Sequence, residues 1–489
     1  MLYQSTRSNF TASSLEAVLQ GIAPDGGLYI DPAILSIDFD WKKCVKLKER
    51  EAAVMVLSAL LPDFEDMEKL VELAYKGKFD NDCIAPLVKC GEDYVMELFH
   101  GPTSAFKDVA LSMLPQLITH AKKKLGMKEK VLILTATSGD TGKAALEGFH
   151  DVDGTGIMVF YPDGGVSAVQ RAQMVCQKGE NVKVCALRGN FDDCQRGVKE
   201  AFAQLSGKSE AVHLSSANSI NIGRLAPQVI YYFTAYSQLL EMGSIQMGEE
   251  VDFVVPTGNF GDILAGYYAK LMGLPVGRLV CASNANNVLY DFIESGTYDA
   301  RRPFMRTTSP SMDILVSSNL ERLLFLASGG NTESVKKWMA ELKAEGIYTV
   351  DKDTLANIQA VFSAGYTDEK RCAETIGEIY SKLGYLCDPH TAVAFSVLYD
   401  CKKSGVCKNK AVVLSTASPY KFPAAVLEAI GGDMSGDEFA QMETLSALSG
   451  VAIPRNLSGL RDAEELHLDV IEKDDLISYV SKVMDKGGL

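Results

Sequence analysis

Short runs of apolar residues alternate along most of the chain with segments whose apolar residues recur at helical spacing. The apolar runs predict strands at residues 130–135, 157–161, 182–187, 212–215, 251–256, 279–282 and 411–415. The helical spacing predicts helices at residues 110–125, 143–150, 193–205, 225–242, 263–272 and 374–383. Because strands and helices alternate and the strands are apolar throughout, we expect an α/β protein with parallel-rich sheets covered by helices on both faces.

The two ends of the chain lack this alternation, so the pattern divides the chain into three parts. Residues 1–85 combine short motifs with helical patterns at 50–59 and 67–75, and predict an N-terminal domain. Residues 86–430 carry the alternating pattern, which predicts a core of two lobes with a cleft between them. Residues 431–489 lose the strand pattern and predict an acidic, helical extension packed on the core.

Composition narrows the class of protein. The 489 residues are 47% hydrophobic and 23% charged, as in ordinary globular chains. With 48 Lys and Arg against 63 Asp and Glu, the net charge is −15, which argues against a nucleic-acid partner. The 11 cysteines include no CxxC pair, so we expect reduced thiols of a cytoplasmic protein and no metal site. Neither a signal peptide nor a membrane helix is expected.

The loop after predicted strand 251–256 suits a phosphate group. It reads Pro256-Thr257-Gly258-Asn259-Phe260-Gly261-Asp262 and leads into the predicted helix 263–272. Its two glycines allow the backbone to approach a ligand closely, and a helix N-terminus favours an anion. The spacing is not GxGxxG, so the dinucleotide fingerprint is absent. An ordinary strand-to-helix turn is the alternative.

A second loop is rich in hydroxyl groups and also precedes a predicted helix. It reads Thr137-Ser138-Gly139-Asp140-Thr141-Gly142-Lys143. A P-loop requires glycine where Thr137 stands and serine or threonine where Ala144 stands, so a P-loop phosphotransferase is disfavoured. What remains is a helix start suited to a carboxylate, or a capping loop without further function.

The stretch Leu98-Phe99-His100-Gly101-Pro102-Thr103-Ser104-Ala105-Phe106-Lys107-Asp108 places a lysine just before the helix predicted near Ala110. Burial among its small, aromatic and apolar neighbours would lower the pKa of the Lys107 amine, as a Schiff-base lysine requires, whereas a lone lysine is usually a surface charge. Another predicted strand ends in Ser415-Thr416. A lysine, a phosphate loop, a hydroxyl loop and a strand-end threonine together form a pyridoxal-phosphate site.

On these motifs the chain resembles the threonine synthase family, in its longer-chain branch of bacteria and fungi. Further motifs that carry the resemblance are Tyr3-Gln4-Ser5-Thr6-Arg7, Gly21-Ile22-Ala23-Pro24-Asp25-Gly26-Gly27-Leu28-Tyr29 and Asn218-Ser219-Ile220-Asn221-Ile222-Gly223-Arg224. The resemblance covers most of the chain. It implies the two-lobed fold type II of pyridoxal-phosphate enzymes, like tryptophan synthase β, with an N-terminal extension domain.

The resemblance also implies roles for individual residues. Lys107 would be the catalytic residue and would form the Schiff base with pyridoxal 5′-phosphate. The cofactor's phosphate is expected at Gly258, Asn259, Phe260 and Gly261, and its pyridine nitrogen at Thr416. The substrate's α-carboxylate is expected at Ser138, Gly139, Asp140 and Thr141. The substrate's phosphate end is expected at Asn218, Ser219, Asn221 and Arg224, where polar residues can also serve as helix caps.

The implied reaction converts O-phospho-L-homoserine and water into L-threonine and phosphate, the last step of threonine biosynthesis. Lys107, displaced by the substrate amine, would move protons as base and acid. Two alternatives stay open. One is a phospho-lyase that makes 2-oxobutyrate from O-phosphohomoserine or O-phosphothreonine, and the other is an inactive homologue that binds the cofactor. The expected partner is the small molecule O-phospho-L-homoserine, and neither a nucleic acid nor a membrane is expected as a partner.

The chain departs from the family pattern at three positions near the expected site. Relatives commonly carry a basic residue in place of Gly165, proline in place of Ala168 and histidine in place of Ser418. His100, the histidine near Lys107 in the sequence, is expected to support the site from behind or to be structural.

Overall fold

The computed structural model describes residues 2–80, 83–137 and 139–489. Ser138, which the resemblance assigns to the substrate carboxylate, lies outside the described residues. Within them, strands and helices alternate from about residue 87 to residue 430, as the apolar pattern predicts.

The strands, in chain order, are β1 (Tyr3–Ser5), β2 (Thr11–Ala12), β3 (Tyr29–Ile30), β4 (Leu87–Cys90), β5 (Asp93–Glu97), β6 (Lys130–Ala136), β7 (Thr155–Pro162), β8 (Val182–Arg188), β9 (Val212–Ser215), β10 (Val251–Pro256), β11 (Val276–Ser283), β12 (Thr297–Asp299), β13 (Ile347–Thr349), β14 (Phe362–Tyr366), β15 (Lys410–Ser415) and β16 (Asp469–Glu472). Short 3-10 turns lie at Pro32–Ser36, Pro310–Met312, Pro419–Lys421, Leu460–Asp462 and Lys473–Asp475.

The α-helices, in chain order, are α1 (Ser14–Gln20), α2 (Trp41–Cys44), α3 (Glu49–Leu60), α4 (Met67–Tyr75), α5 (Lys107–Lys124), α6 (Asp140–Phe149), α7 (Ala168–Val175), α8 (Phe191–Leu205), α9 (Ile222–Glu241), α10 (Gly261–Leu271), α11 (Val288–Ser295), α12 (Leu320–Ala327), α13 (Thr332–Glu345), α14 (Lys352–Val361), α15 (Glu369–Leu383), α16 (Pro389–Lys403), α17 (Pro423–Ile430), α18 (Glu438–Ser449) and α19 (Leu476–Asp485).

Most of the strands belong to two large sheets. In the described residues, the first sheet has six strands in the order β14-β11-β10-β15-β5-β4. Its strands run parallel except β4, which pairs antiparallel with β5. The second sheet has the order β16-β8-β7-β6-β9 and is parallel throughout. The expected α/β class with parallel-rich sheets is confirmed.

Alternate residues of the inner strands face different cores, because side chains alternate across a strand. In β15, Val412 and Leu414 join a core that includes residues of both sheets and of the N-terminal helices. Val413 of the same strand joins a second core built with α15, α16 and α17. Strands with both faces buried explain the continuous apolar runs in the sequence.

The N-terminal segment is attached to the core by polar contacts as well as by apolar packing. The hydroxyl of Tyr3 donates to the carbonyl oxygen of Leu60 at 2.6 Å within that segment. Arg7 reaches α12, where its Nε and Nη2 donate to the two carboxylate oxygens of Glu321 at 2.8 and 2.7 Å. This two-pronged geometry fixes the orientation of the segment.

The C-terminal segment, expected to be helical, also contains a strand. Helices α18 and α19 are present, but β16 pairs parallel with β8 and extends the second sheet. The strand has mostly exposed side chains and two acidic residues, so its sequence carries no apolar run. Its structure comes from pairing with β8.

Two findings concern the whole described chain. All 11 cysteines are free thiols in the described residues, and nine of them are buried. No helix of the described residues has both the length and the apolar character needed to cross a membrane.

Candidate active site

Lys107 is the first residue of α5, three positions earlier than the sequence pattern predicts. Its side chain is half-buried, and its Nζ lies 4.7 Å from the centroid of the Phe106 ring. Burial lowers the pKa of this amine to about 8; the positive charges of Lys421 and Arg224 add to that effect, and Asp140 opposes it. The neutral form needed of a nucleophile or base is therefore accessible near neutral pH.

The loop before Lys107 is held by the chain that follows β15. The backbone N–H of Phe106 donates to the carbonyl oxygen of Thr416 at 2.9 Å. The ammonium of Lys421, itself fully buried, donates to the carbonyl oxygen of Thr103 at 3.1 Å. Thr416 is 6% exposed, so the predicted partner of the cofactor nitrogen lies inside the molecule, directly beside this loop.

The glycine loop follows β10 and opens α10. A Cβ on Gly258 would lie 2.5 Å from the carbonyl oxygen of Ser311, so only glycine fits against that neighbouring backbone. Phe260 has a φ of 62°, in the left-handed region, and its ring cannot accept a hydrogen bond from the helix. In the described part of the chain, no protein oxygen accepts from the backbone N–H groups of Gly258, Asn259, Phe260 or Gly261. Free N–H groups at a helix start suit a phosphate.

A buried carboxyl group lies just behind the glycine loop. Asp262 is 7% exposed and accepts hydrogen bonds from the hydroxyls of Tyr231 and Tyr232 at 2.5 and 3.2 Å. Burial raises the pKa of this carboxyl to about 7, although the two tyrosine hydroxyls oppose the shift. Its second oxygen has no partner in the described residues.

The hydroxyl-rich loop is built around an ion pair that the sequence did not reveal. Asp140, the first residue of α6, lies 2.5 Å from Nζ of Lys421, and both side chains are buried. Burial alone would raise the pKa of Asp140, but Lys421 and Lys107 hold it well below its usual range. Gly139 has a φ of 154°, and a Cβ there would lie 2.5 Å from the amide nitrogen of Gln170. Thr141 is half-buried at the start of the same helix.

The segment before α9 combines a structural cap with a buried cation. Asn221 caps α9 by accepting from the Gly223 N–H at 2.8 Å, and its amide donates to the carbonyl oxygen of Val18 at 2.8 Å. Arg224 is 3% exposed, and its Nη1 donates to the carbonyl oxygen of Ala217 at 2.5 Å. Its Nε has no partner, and no described carboxylate pairs with it. Burial lowers the pKa of this guanidinium to about 10.

The remaining members of this segment lie nearer the surface. Asn218 is exposed and Ser219 is half-buried, and their side chains share a hydrogen bond of 3.3 Å. The carbonyl oxygen of Ser219 accepts from the Asn319 amide at 3.2 Å, while the Asn319 N–H donates to the carbonyl oxygen of Asn259 at 3.1 Å. The two predicted phosphate-binding segments are therefore bridged by one residue, Asn319.

Sequence reasoning missed several residues that complete the site. Nζ of Lys107 donates to the hydroxyl of Ser311 at 3.3 Å. The backbone N–H of Ser311 in turn donates to Nε2 of His390 at 3.2 Å. The sequence offered His100 as the nearby histidine, but its Nε2 bonds to Glu97 at 2.8 Å. The only sequence signal for His390 is its place at a helix start, directly after an Asp-Pro pair.

One of the departures from the family pattern has a clear structural role. Ser418 starts the 3-10 turn Pro419–Lys421, where its hydroxyl accepts from the Tyr420 N–H at 3.3 Å. Its own N–H donates to the carbonyl oxygen of Ser104 at 3.1 Å. Ser418 therefore helps to hold both Lys421 and the loop that carries Lys107.

The residues present fit pyridoxal phosphate. The group requires an accessible lysine amine, a cradle of N–H groups for its phosphate and a polar partner for its ring nitrogen. Lys107 supplies the amine, and the tight packing of Gly258 on Ser311 leaves backbone where a side chain would otherwise intrude. Thr416 stands buried beside the lysine loop.

Comparison with known proteins supports this assignment. The model of the family described as "Pyridoxal-phosphate dependent enzyme" matches residues 86–365. Models of the threonine synthase N terminus and of the threonine synthase C-terminal region match residues 2–75 and 391–478. The threonine synthase of Pseudomonas aeruginosa is 42% identical over 439 residues, covering 88% of this chain and 90% of that protein. The chain belongs to the threonine synthase family.

Other members of the family agree with the model in sequence and in fold. The threonine synthase of Saccharomyces cerevisiae is 36% identical over 498 residues, covering 91% of this chain and 93% of that protein. The crystal structure of PLP-bound threonine synthase from Brucella melitensis superposes with a TM-score of 0.88 at 38% identity, covering 100% of this chain and 99% of that one. The yeast enzyme's crystal structure gives a TM-score of 0.89 at 34% identity, covering 99% and 98%.

Three predictions from the sequence are thereby confirmed. The chain has the fold type II architecture of threonine synthases, it is an enzyme of that family, and it depends on pyridoxal phosphate. The roles of individual site residues and the boundaries of the three predicted parts stay predictions.

Proposed function

We propose that this protein converts O-phospho-L-homoserine and water into L-threonine and phosphate. The observation that carries the proposal is the environment of Lys107. This amine, with a pKa of about 8, lies near a glycine loop with free N–H groups and near the buried Arg224, whose Nε has no partner in the described residues. The glycine loop suits the phosphate of the cofactor, and Arg224 suits the phosphate of an amino-acid substrate.

Four elements would hold the cofactor. The N–H groups of Gly258, Asn259, Phe260 and Gly261 would bind its phosphate, helped by the dipole of α10. Thr416 would meet its ring nitrogen with a neutral hydroxyl, and Lys107 would hold its reactive carbon. When bound, the cofactor supplies an electron sink that makes the α and β protons of an amino acid removable.

Lys107 would carry the protons. Once the substrate amine has replaced it, its free Nζ can take the α proton and return it later, because its lowered pKa makes the neutral amine available. The position of Lys107 at the first turn of α5 fixes where its side chain starts, and Ser311 and the Phe106 ring lie against its amine. The half-buried setting limits access of water to the same atom.

Charge would place the substrate. Its carboxylate would meet the N-terminal turn of α6 at Gly139, Asp140 and Thr141, where Lys421 neutralises Asp140 and removes the repulsion of like charges. Its phosphate would meet Arg224, with Asn218 and Ser219 at the more exposed end. Asn221 would act through its cap, because the amide and carbonyl groups of its side chain are already bonded.

Product analysis tests the proposal. Purified holoenzyme given O-phospho-L-homoserine should release threonine and phosphate in equal amounts, measured by chromatography of amino acids and by phosphate assay. If 2-oxobutyrate and ammonia appear in place of threonine, the protein is a phospho-lyase. If no product appears although the cofactor is bound, the protein is an inactive homologue.

The Lys107→Ala variant tests the role of the lysine. Turnover should fall by about 10³-fold or more, because both the covalent link and the proton carrier are lost. The visible absorbance of the bound cofactor should change in the same sample, and circular dichroism should show an intact fold. Lys123→Ala, on the exposed side of the same helix, is the matched control and should keep full turnover. Retained turnover in Lys107→Ala would refute the role proposed here.

We also propose that the protein works in the cytoplasm. Free thiols at all 11 cysteines fit a reducing compartment. Fractionation of the source cells followed by immunodetection of the chain tests this; recovery outside the cytoplasmic fraction would contradict it.

A further inference from the structure

Three residues, Asp388, His390 and Ser311, form a chain of contacts that ends at the amine of Lys107. Nζ of Lys107 donates to the hydroxyl of Ser311 at 3.3 Å. The Ser311 N–H donates to Nε2 of His390 at 3.2 Å, and Nδ1 of His390 lies 2.5 Å from a carboxylate oxygen of Asp388. Both His390 and Asp388 are fully buried.

The protonation of His390 follows from these contacts. A backbone N–H can only donate, so Nε2 of His390 must present a lone pair. The ring proton then resides on Nδ1 and is donated to Asp388. His390 is therefore a neutral imidazole in a single tautomer, whose orientation is fixed at both nitrogens.

Asp388 is in turn fixed by several donors. It is the N-cap of α16 and accepts from the backbone N–H groups of His390 and Thr391 at 2.9 and 3.2 Å. The hydroxyl of Thr391 also bonds to Asp388 and lies 2.9 Å from the hydroxyl of Ser415. Ser415 precedes Thr416, so this group of contacts is anchored to the strand that ends in the site.

Ser311 also touches the other side of the site. Its carbonyl oxygen is the atom that a Cβ on Gly258 would meet at 2.5 Å. One residue of a short 3-10 turn therefore contacts the lysine through its side chain and the glycine loop through its backbone. A displacement of Ser311 would disturb both.

We propose that Ser311 is a further catalytic residue, which holds the free amine of Lys107 through its hydroxyl, and that Asp388 and His390 are positioning residues for Ser311. The inference rests on the proposed role of Lys107 as proton carrier. A neutral amine that donates one N–H to Ser311 has its lone pair directed away from Ser311, and its other N–H remains free. The amine is thus oriented before it takes a proton.

A serine suits this position better than a charged group. Its hydroxyl accepts from the amine in both the neutral and the protonated state, so the contact survives proton transfer. A carboxylate in the same place would favour the ammonium form and oppose release of the proton. Because the imidazole of His390 meets the backbone of Ser311, the hydroxyl stays available for Lys107.

Ser311→Ala is the first test, made in the full-length holoenzyme. We expect kcat to fall about 10–100-fold with KM for O-phospho-L-homoserine nearly unchanged, the size expected for a misplaced proton carrier. The kinetic isotope effect with α-deuterated substrate should rise, because proton removal becomes slower relative to the other steps. The rate at which added cofactor gains its visible absorbance in cofactor-free protein should also fall, since that rate reports on the Lys107 amine without turnover.

His390 variants separate positioning from simple stability. His390→Phe removes both nitrogens and should reproduce the raised isotope effect of Ser311→Ala. His390→Gln returns an acceptor for the Ser311 N–H and should restore kcat to within about threefold of the unaltered protein. His120→Phe and Ser237→Ala, which remove a histidine and a buried hydroxyl away from the site, are the controls and should leave the isotope effect unchanged.

Two results would overturn the inference. An unchanged isotope effect and unchanged cofactor attachment in Ser311→Ala would show that the hydroxyl does not serve Lys107. A His390→Phe variant with a normal isotope effect would show that Ser311 needs no support from the imidazole. Either result leaves the proposed function standing if Lys107→Ala is inactive, so the two proposals fail separately.

Discussion

Helices α8 and α10 begin in opposite ways. Helix α8 follows Asn190, whose side chain accepts from the Asp193 N–H while Asp193 accepts from the Asn190 N–H, both at 3.0 Å. Helix α10 follows Phe260, which offers no acceptor. The first helix has a side-chain cap for its N–H groups, and the N–H groups at the start of the second have no protein acceptor in the described residues. Several other helices also lack a side-chain cap, so what distinguishes α10 is that its uncapped start lies beside Lys107 and Ser311.

The acidic residues in the first turns of α8 and α10 also differ, in burial and in carboxyl pKa. Asp193 lies near the surface, where the Asn190 N–H and Arg196 lower its carboxyl pKa. Asp262 is buried, and burial raises its carboxyl pKa to about 7. An ionised group at Asp262 would oppose a bound phosphate, whereas the protonated form would not. The ionised carboxylate is therefore stabilised at the start of α8 and destabilised at the start of α10.

The largest effect should come from closing the cradle of α10. In Gly258→Ala, the new Cβ would meet the carbonyl oxygen of Ser311 at 2.5 Å, and backbone must shift. Overpacking of this kind costs about 1–3 kcal/mol, which corresponds to roughly 5–150-fold weaker cofactor binding where the cost falls on the bound state. The affinity is measured by titrating cofactor-free protein with pyridoxal phosphate and following the visible absorbance. Gly207→Ala, near the end of α8, meets no neighbouring atom but strains the backbone, because Gly207 has a φ of 73°; it should lower stability and leave affinity for the cofactor unchanged. Equal affinities for the cofactor in the two variants would contradict the prediction that the start of α10 binds its phosphate.

An intermediate effect should follow from Asp262→Asn, in the pH dependence of stability. The native carboxyl pKa of about 7, well above the ordinary value of 3.8, means that the folded protein binds this proton more tightly than the unfolded chain does. The contribution of the Asp262 carboxyl to the free energy of unfolding is fully present below about pH 4. It is lost as the pH rises through 7, by up to about 1.4 kcal/mol per pH unit. Urea unfolding at pH 5 and pH 7 should therefore show that the free energy of unfolding falls less between the two pH values in Asp262→Asn than in the unaltered protein.

Asp193→Asn is the matched control for that experiment. The pKa of Asp193 is lowered, so its contribution is present above the unfolded pKa and is lost as the pH falls. The difference in the free energy of unfolding between this variant and the unaltered protein should therefore stay constant between pH 5 and pH 7 and shrink only below about pH 4. A change between pH 5 and pH 7 in this variant like that of Asp262→Asn would contradict the contrast between the two helix starts.

The smallest effect should come from Asn190→Ala at the start of α8. Loss of the cap should lower the free energy of unfolding by about 1 kcal/mol, as for other N-cap substitutions. Turnover and cofactor affinity should stay unchanged, because this cap lies outside the site. Urea unfolding and steady-state kinetics on the same preparation check both statements, and a changed kcat would place α8 in the site after all.

Sequence patterns predicted most strands of the two large sheets, but missed the buried strand β5 and the buried helix α16. Strands at 212–215 and 251–256 appear with the predicted bounds. Helix α5 begins at Lys107 and not near Ala110, because Asp108 interrupts the apolar spacing while its carboxylate bonds to Thr103. Strand β14 was missed because Phe362–Tyr366 includes small residues and a glycine, and pairing with β11 makes it a strand.

The site could be predicted only where one loop holds all the relevant residues. The lysine, the glycine loop and the strand-end threonine each lie within a short motif, and so could be named. The contact between Lys421 and Thr103 joins residues 318 positions apart, and His390 reaches Ser311 over 79 positions. Periodicity states which residues are buried, but not which loops meet. The cap formed by Asn221 illustrates the converse, since one polar residue can serve structure within a functional motif.

The position of β15 in its sheet has a consequence for how the chain folds. Residues 410–415 lie between β10 and β5, two strands made far earlier during synthesis. The first sheet therefore lacks an inner strand until residues 410–415 have been made, and the facing edges of β10 and β5 stay unpaired until then. Because the residues after β15 also hold the loop of Lys107, the reactive amine is made well before the segment that fixes its position. Pairing between strands so far apart in sequence slows folding.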